Sequence, residues 1–254
     1  MSLAHKRILV TGGGRGLGAA IVRHLSAAGY AVTFTYRSAV AEAEALMEEI
    51  RGATPDARLI ARPVDLADRA AVEALAQELE ADPEAYYGFC HNAGASYDTL
   101  AAMIDQDKAE AVMQVNHFTF VRLARALVRP MTRAREGRMV AIGSVAALQA
   151  NQGNAAYAAS KAALLAHARG LAVETARRGV TVNYVAPGFI DTGMLAKFAD
   201  YRDRMAAQIP AGRFATPDDV AQVVAFLFSP GAGYITGAVI PVDGGLSAQL
   251  AAHR

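Results

Sequence analysis

The sequence predicts a doubly wound α/β fold: a parallel sheet of about seven strands with helices on both faces. Three observations carry this expectation. Short β-type runs alternate with helix-type segments from the first residues onward. Most of these runs are continuously apolar rather than alternating, as strands buried on both faces are. A glycine-rich turn follows the first run and opens the first helix. Strand–helix alternation gives right-handed crossovers and a parallel sheet. Ligands of such folds sit beyond the C-terminal ends of the strands, so each motif is judged by whether it follows a strand.

The elements are expected in this order. Arg7–Thr11 is the first strand. Leu17, Ile21, Leu25 and Ala28 form one helical stripe, followed by Gly29 as a stop. Strands at Ala31–Tyr36 and Arg58–Arg62 come next, then a helix over Asp65–Glu80 and a strand at Tyr86–Cys90. A long helix over Lys108–Pro130 leads to a strand at Arg138–Ile142. A helix over Ala156–Arg178 leads to Val180–Val185, and a helix over Pro217–Ser229 leads to the last strand, Gly237–Pro241. No repeat, low-complexity tract or Pro/Gly/Ser linker divides the chain, so residues 1–254 read as one domain.

Composition narrows the function classes. Hydrophobic residues make up 53% of the 254 and charged ones 19%, which suits a large core. The net charge is +1, from 25 basic and 24 acidic residues. A global field for nucleic acid or a membrane surface is therefore not expected. Cys90 is the single cysteine, so no intrachain disulfide or Cys-based metal site is expected, and a reducing, cytoplasmic setting fits. The histidines show no ligand spacing, and no signal or membrane-spanning segment is evident.

Thr11-Gly12-Gly13-Gly14-Arg15-Gly16-Leu17-Gly18 lies between the first strand and the first helix. Glycines there permit a tight turn and let backbone amides approach a phosphate at the positive helix end. Dinucleotide folds usually end the second strand with an acid that binds the ribose 2′-OH. Here the region reads Thr35-Tyr36-Arg37-Ser38, without a carboxylate. Arg37, with Arg15, suits a 2′-phosphate instead, so NADP(H) is expected over NAD(H). The alternative for Arg37 is a solvated surface charge. Asp65 reads either as an acceptor for the adenine amine or as the N-cap of the next helix.

Tyr157-Ala158-Ala159-Ser160-Lys161 places a phenol and an amine on one helical face. A nearby ammonium favours phenolate and lowers a tyrosine pKa from about 10, which suits acid–base catalysis. Ser144 directly follows the Arg138–Ile142 strand, at the ligand-binding edge.

On these motifs the chain resembles the short-chain dehydrogenase/reductase family, a Rossmann-fold group, over essentially its whole length. The matching motifs, in order, are Thr11–Gly18, Asn92-Ala93-Gly94, Asn116, Ser144 with Tyr157 and Lys161, and Pro187-Gly188-Phe189-Ile190-Asp191-Thr192. The resemblance implies that Tyr157 donates a proton to the carbonyl oxygen and that Ser144 polarises that carbonyl. It implies that Lys161 binds the nicotinamide ribose and depresses the Tyr157 pKa, while Asn116 holds a water linking Lys161 to solvent. It implies cofactor contacts at Gly12, Gly14, Arg15, Gly16, Leu17, Gly18, Arg37, Ser38, Asp65, Leu66, Asn92, Ala93, Gly94, Tyr157, Lys161, Pro187, Gly188, Ile190 and Thr192. Two positions depart from the pattern: His91 stands where the family most often has Asn, and Gly14 where Ser is common.

Within the family the resemblance is to 3-oxoacyl carrier-protein reductases. It is carried by Gly143-Ser144-Val145, Asn183–Thr192, Ile209-Pro210-Ala211-Gly212-Arg213 and Tyr234-Ile235-Thr236-Gly237. The implied partner is an acidic acyl carrier protein, for which Arg135 and Arg178 match contact positions, and basic groups beside the active-site mouth would steer it. Arg122, Arg125 and Arg129 read instead as part of a subunit interface, and a homotetramer is implied. Residues 193–213 would form a mobile lid over the acyl pocket. Acetoacetyl-CoA reduction, oxidation of a free alcohol, sugar or steroid, and a silent cofactor-binding scaffold are the rival readings.

Overall fold

The computed structural model describes residues 5–149, 151–192 and 202–249. Seven strands form one sheet: β1 (Arg7–Thr11), β2 (Ala31–Tyr36), β3 (Leu59–Pro63), β4 (Gly88–His91), β5 (Gly137–Ile142), β6 (Val180–Pro187) and β7 (Val239–Val242). Their order is β3-β2-β1-β4-β5-β6-β7, and every pairing is parallel. The winding reverses between β1 and β4, the point at which doubly wound sheets open a ligand crevice.

The helices are α1 (Gly16–Ala27), α2 (Val40–Ala53), α3 (Arg69–Ala81), α4 (Gln106–Met113), α5 (Thr119–Ala134), α6 (Ala155–Thr175), α7 (Arg202–Ala206) and α8 (Pro217–Phe228). Successive strand side chains point to opposite faces, so an apolar strand needs cover on both. Ile8, Val10, Phe34, Val140 and Val185 pack against Ile21, Leu25, Leu46, Ile50 and Val224 of α1, α2 and α8. Leu9, Phe89, Met139, Val182 and Tyr184 pack against Leu75, Leu123, Leu127 and Leu164 of α3, α5 and α6.

Four features differ from the sequence expectation. Helix α2 was not among the expected elements; it shows the core only Ala43, Leu46 and Ile50. Helix α3 begins at Arg69 rather than Asp65, because Asp68 caps it by accepting from the Ala70 amide at 2.8 Å. The long helix is interrupted by a π-turn over Gln114–Phe118, where Thr119 Oγ1 donates to the Gln114 carbonyl at 2.9 Å. Helix α5 continues past Pro130 to Ala134.

Candidate active site

The glycine loop is shaped by close backbone approach. Gly12 and Gly16 have φ of +67° and +54°, in the left-handed region that glycine populates freely. A Cβ at Gly18 would collide with the Gly12 carbonyl oxygen, which accepts from Asn92 Nδ2 at 2.9 Å. Thr11 Oγ1 accepts from both the Asn92 and Ala93 amides at 3.1 Å, fastening the end of β4 to the end of β1. Helix α1 has no side-chain cap and no acid in its first turn. Its leading amides are therefore suited to an anion, and a dinucleotide diphosphate fits this cradle. The loop after β6 closes the other side, since Thr192 lies within van der Waals reach of Gly16. Gly188 is held against Asp243, and Ile190 bridges to Ala215. Pro187 is the last residue of β6 and pairs with Val242.

Beside this cradle lies a connected set of polar side chains. Asn116 sits in the π-turn, fully buried. Its Nδ2 donates to the Ala95 carbonyl at 2.9 Å and to Ser160 Oγ at 2.8 Å, and its Oδ1 accepts from the Ala95 amide at 2.8 Å. π-Turns within α-helices concentrate at functional sites. Ser160 Oγ in turn donates to the Tyr157 carbonyl at 2.7 Å. Lys161 Nζ donates to the Ile142 carbonyl at 2.8 Å, and Gly94 is close to both that ammonium and Asn116 Oδ1. Burial lowers the Lys161 pKa to about 8.

Tyr157 is half-buried and shares a hydrogen bond with Ser144. Burial pushes its pKa up, and the Ser144 bond acts against that rise. The expected depression by Lys161 is thus not what this geometry gives. The ammonium is turned to the Ile142 carbonyl and stands 5.8 Å from the Tyr157 ring centre.

His91 is enclosed at the end of β4. Burial foremost, with Lys161 nearby, pushes its pKa down to about 3, so the ring is neutral. Thr11 Oγ1, already an acceptor from two amides, spends its proton on His91 Nδ1 at 3.0 Å. His91 Nε2–H then donates to the Asn116 carbonyl at 3.2 Å. Sequence reasoning undervalued Ser160 and His91; their position beside Lys161 and Asn92 was the available signal.

The remaining expected residues divide. Arg15, Arg37, Ser38 and Asp65 are exposed. Arg37 lines a cleft of about 280 Å³ with Ala95, Tyr97, Lys108 and Val112. Lys108 is a second cation there that the sequence reading did not single out. Asp65 is not the N-cap of α3; its Oδ1 accepts from the Ala67 amide at 3.0 Å, a local turn. Leu66 is buried in the core, and its carbonyl lies 3.1 Å from Thr119 Oγ1. Gly14 faces Tyr36 and Ala39, and Leu17 packs on the core.

Arg135 and Arg178 require a correction of place. They immediately precede β5 and β6, whose first residues, Gly137 and Val180, are paired. Ser144 follows the other end of the same strands, about 20 Å away at about 3.3 Å per residue. The two arginines are neighbours, since Arg135 donates to the Arg177 carbonyl at 3.2 Å, but they are not beside the mouth of their own chain. Of the expected lid, Met194, Leu195, Phe198 and Tyr201 lie outside the described residues. Residues 202–213 include α7 and the buried Ile209. Among the described residues no helix is long and apolar enough to cross a membrane.

The family model described as Enoyl-(Acyl carrier protein) reductase matches residues 12–247. The 3-oxoacyl-[acyl-carrier-protein] reductase FabG of Aggregatibacter actinomycetemcomitans is 40% identical over 94% of this chain and 98% of its own. Nodulation protein G of Rhizobium sp. is 39% identical over 96% of this chain and 98% of its own. Among solved structures, a gluconate 5-dehydrogenase from Burkholderia cenocepacia in complex with NADP and tartrate superposes with a TM-score of 0.87. It is 30% identical and covers 96% of each chain.

Proposed function

The chain belongs to the short-chain dehydrogenase/reductase family, and from that premise we propose that it reduces a carrier-bound 3-oxoacyl thioester to the 3-hydroxyacyl thioester with NADPH. Membership makes it an oxidoreductase that uses a nicotinamide cofactor. When bound, the cofactor supplies the hydride, and the protein supplies position and electrostatics. The Gly12–Gly18 turn and the α1 amides would hold the diphosphate, and Asn92, Ala93, Gly94 and Pro187–Thr192 would hold the rest of the dinucleotide. Arg37 and Arg15 would hold the 2′-phosphate that distinguishes NADPH.

Tyr157 O–H transfers its proton to the substrate carbonyl oxygen. Ser144 Oγ–H donates a hydrogen bond to that same oxygen as negative charge develops on it. Lys161, with a pKa near 8, returns a proton toward Tyr157 at near-neutral pH. Asn116 holds the Ala95 backbone and Ser160 in place.

The observation that supports this reading most is the Tyr157–Ser144 hydrogen bond beside a buried lysine at the C-terminal edge of β5. Identity to 3-oxoacyl reductases along nearly the whole chain favours the thioester. Arg135 and Arg178 serve the carrier, presented to the mouth by a neighbouring copy because they lie at the far edge of their own sheet. A homotetramer accounts for this.

A second reading, oxidation of a sugar acid, is favoured by the gluconate 5-dehydrogenase neighbour. The two separate in a coupled assay of NADPH consumption with acetoacetyl-carrier protein and acetoacetyl-CoA, beside NADP reduction with gluconate. Fastest turnover on the carrier supports the proposal, and turnover on gluconate alone overturns it.

A further inference from the structure

Tyr184 lies inside the Asn183–Thr192 motif but is given no role by it, yet it joins two parts of the candidate site. It lies on β6 directly opposite Ala141 of β5, and its side chain is fully enclosed. Gly143 is two residues beyond Ala141 and therefore on the same face of the sheet. Both neighbours are small, so the Tyr184 ring lies across β5 toward α6. A Cβ built at Gly143 would fall inside the phenol. Gly143 has no left-handed φ to explain its glycine, so the demand is for space.

The phenol oxygen ends between two backbones. It accepts from the Ser144 amide at 3.1 Å and donates to the Lys161 carbonyl at 3.2 Å. A helix-interior carbonyl has a second lone pair free for such a bond. Lys161 Nζ reaches back to the Ile142 carbonyl at 2.8 Å, two residues before Ser144. The result is a closed circuit: Ile142-Gly143-Ser144 on one side, Lys161 on the other, and the phenol and the ammonium as the two ties. Ser144 is further anchored by the Ala146 amide donating to its Oγ at 3.1 Å and by the Ala147 amide donating to its carbonyl at 3.1 Å. A phenylalanine at position 184 would fill the same space and tie nothing.

We infer that Tyr184 is a positioning residue that sets Ser144 against the Lys161 turn of α6, and that Gly143 is glycine because the phenol occupies the place of its side chain. The inference rests on the reading of Ser144, Tyr157 and Lys161 as the proton-transfer set. Position matters at such a site because a displacement of about 1 Å in a reacting group costs up to two orders of magnitude in rate.

The test uses Tyr184→Phe, Gly143→Ala and the double variant Gly143→Ala/Tyr184→Val. Each is assayed for kcat with NADPH and acetoacetyl-CoA, for NADPH affinity by fluorescence, and for Tm. Tyr184→Phe is expected to lower kcat about tenfold, the effect of one lost hydrogen bond expressed in the transition state. NADPH affinity should stay within about twofold, because cofactor binding does not use this tie. Gly143→Ala should lose at least about a hundredfold or fail to fold, because the clash is with a ring fixed in the core. The double variant should regain the fold and return to the level of Tyr184→Phe.

A Tyr184→Phe variant with lower Tm but kcat within twofold of wild type would show that the phenol only fills space. An active Gly143→Ala, or a double variant no better than Gly143→Ala, would also overturn the inference. Tyr157→Phe run alongside separates the two levels. If it stays active, the reading of the site has failed. If it is inactive while Tyr184→Phe matches wild type, only the role of Tyr184 has failed.

Discussion

The polar groups at the C-terminal ends of β4 and β5 contrast with the arginines on the surface. His91, Asn116, Ser160 and Lys161 are buried, and their partners are supplied by backbone, by one another or by Thr11 Oγ1. Arg15, Arg37, Arg135 and Arg178 are exposed to solvent. Buried polar groups are costly unless fully bonded, so the inner set is locked into one geometry. Exposed charges gain little from any one partner but steer an oncoming anion. The first arrangement suits chemistry, which depends on position. The second suits recognition, which depends on field. Changes to the inner set should therefore appear in kcat, and changes to the outer set in KM and its salt dependence.

Four changes would break or sharpen that contrast, in decreasing size. Ser144→Ala should lower kcat about 10²- to 10³-fold, the range for losing one donor to a developing oxyanion. NADPH affinity measured on the same sample should be nearly unchanged. Arg37→Glu should lower the NADPH-to-NADH ratio of kcat/KM by about 10- to 100-fold without changing kcat, because it replaces a charge-assisted contact with a repulsive one. Arg135→Glu with Arg178→Glu should raise KM for acetoacetyl-carrier protein about tenfold at low salt and leave KM for acetoacetyl-CoA alone. If both substrates change alike, those arginines act on the fold rather than on the carrier.

The smallest effect concerns stability. Lysine titrates near 10.5 in an unfolded chain, and burial lowers Lys161 to about 8. Between those values the unfolded state binds more protons, so stability rises with pH across that window. Below pH 8 the buried charge is a constant penalty. Lys161→Met should therefore raise Tm by about 2–5 °C at pH 7, with the gain shrinking from pH 8 to 10.5. Thermal melts across that range check the sign; a variant less stable than wild type at pH 7 contradicts it.

The two regions also differ in how much the sequence revealed. Apolar runs placed β1 and β2 at their observed ends, and the motifs named the inner set because spacing after a strand or along a helix determines where a side chain goes. Helix α2 escaped because its buried stripe of Ala43, Leu46 and Ile50 is thin against four glutamates and an arginine. The π-turn escaped because no residue type marks it in the sequence; its Thr119 bond is visible only in three dimensions. For Arg135 and Arg178 the signal was present: residues preceding a parallel strand lie at the edge away from the ligand. Charge alone says nothing about which edge. Tyr184 lay inside a quoted motif, but its meaning depends on the pairing of β6 with β5, which puts Ala141 and Gly143 beneath its ring.

The measurement closest to the centre of the account is NADPH-dependent reduction of acetoacetyl-carrier protein by wild type and by Tyr157→Phe, with NADPH affinity measured on the same preparations. The account predicts a loss of at least about a thousandfold in kcat with NADPH bound as in wild type, because the phenol hydroxyl is the proton donor while the ring and its surroundings remain. Turnover by Tyr157→Phe within tenfold of wild type would contradict it.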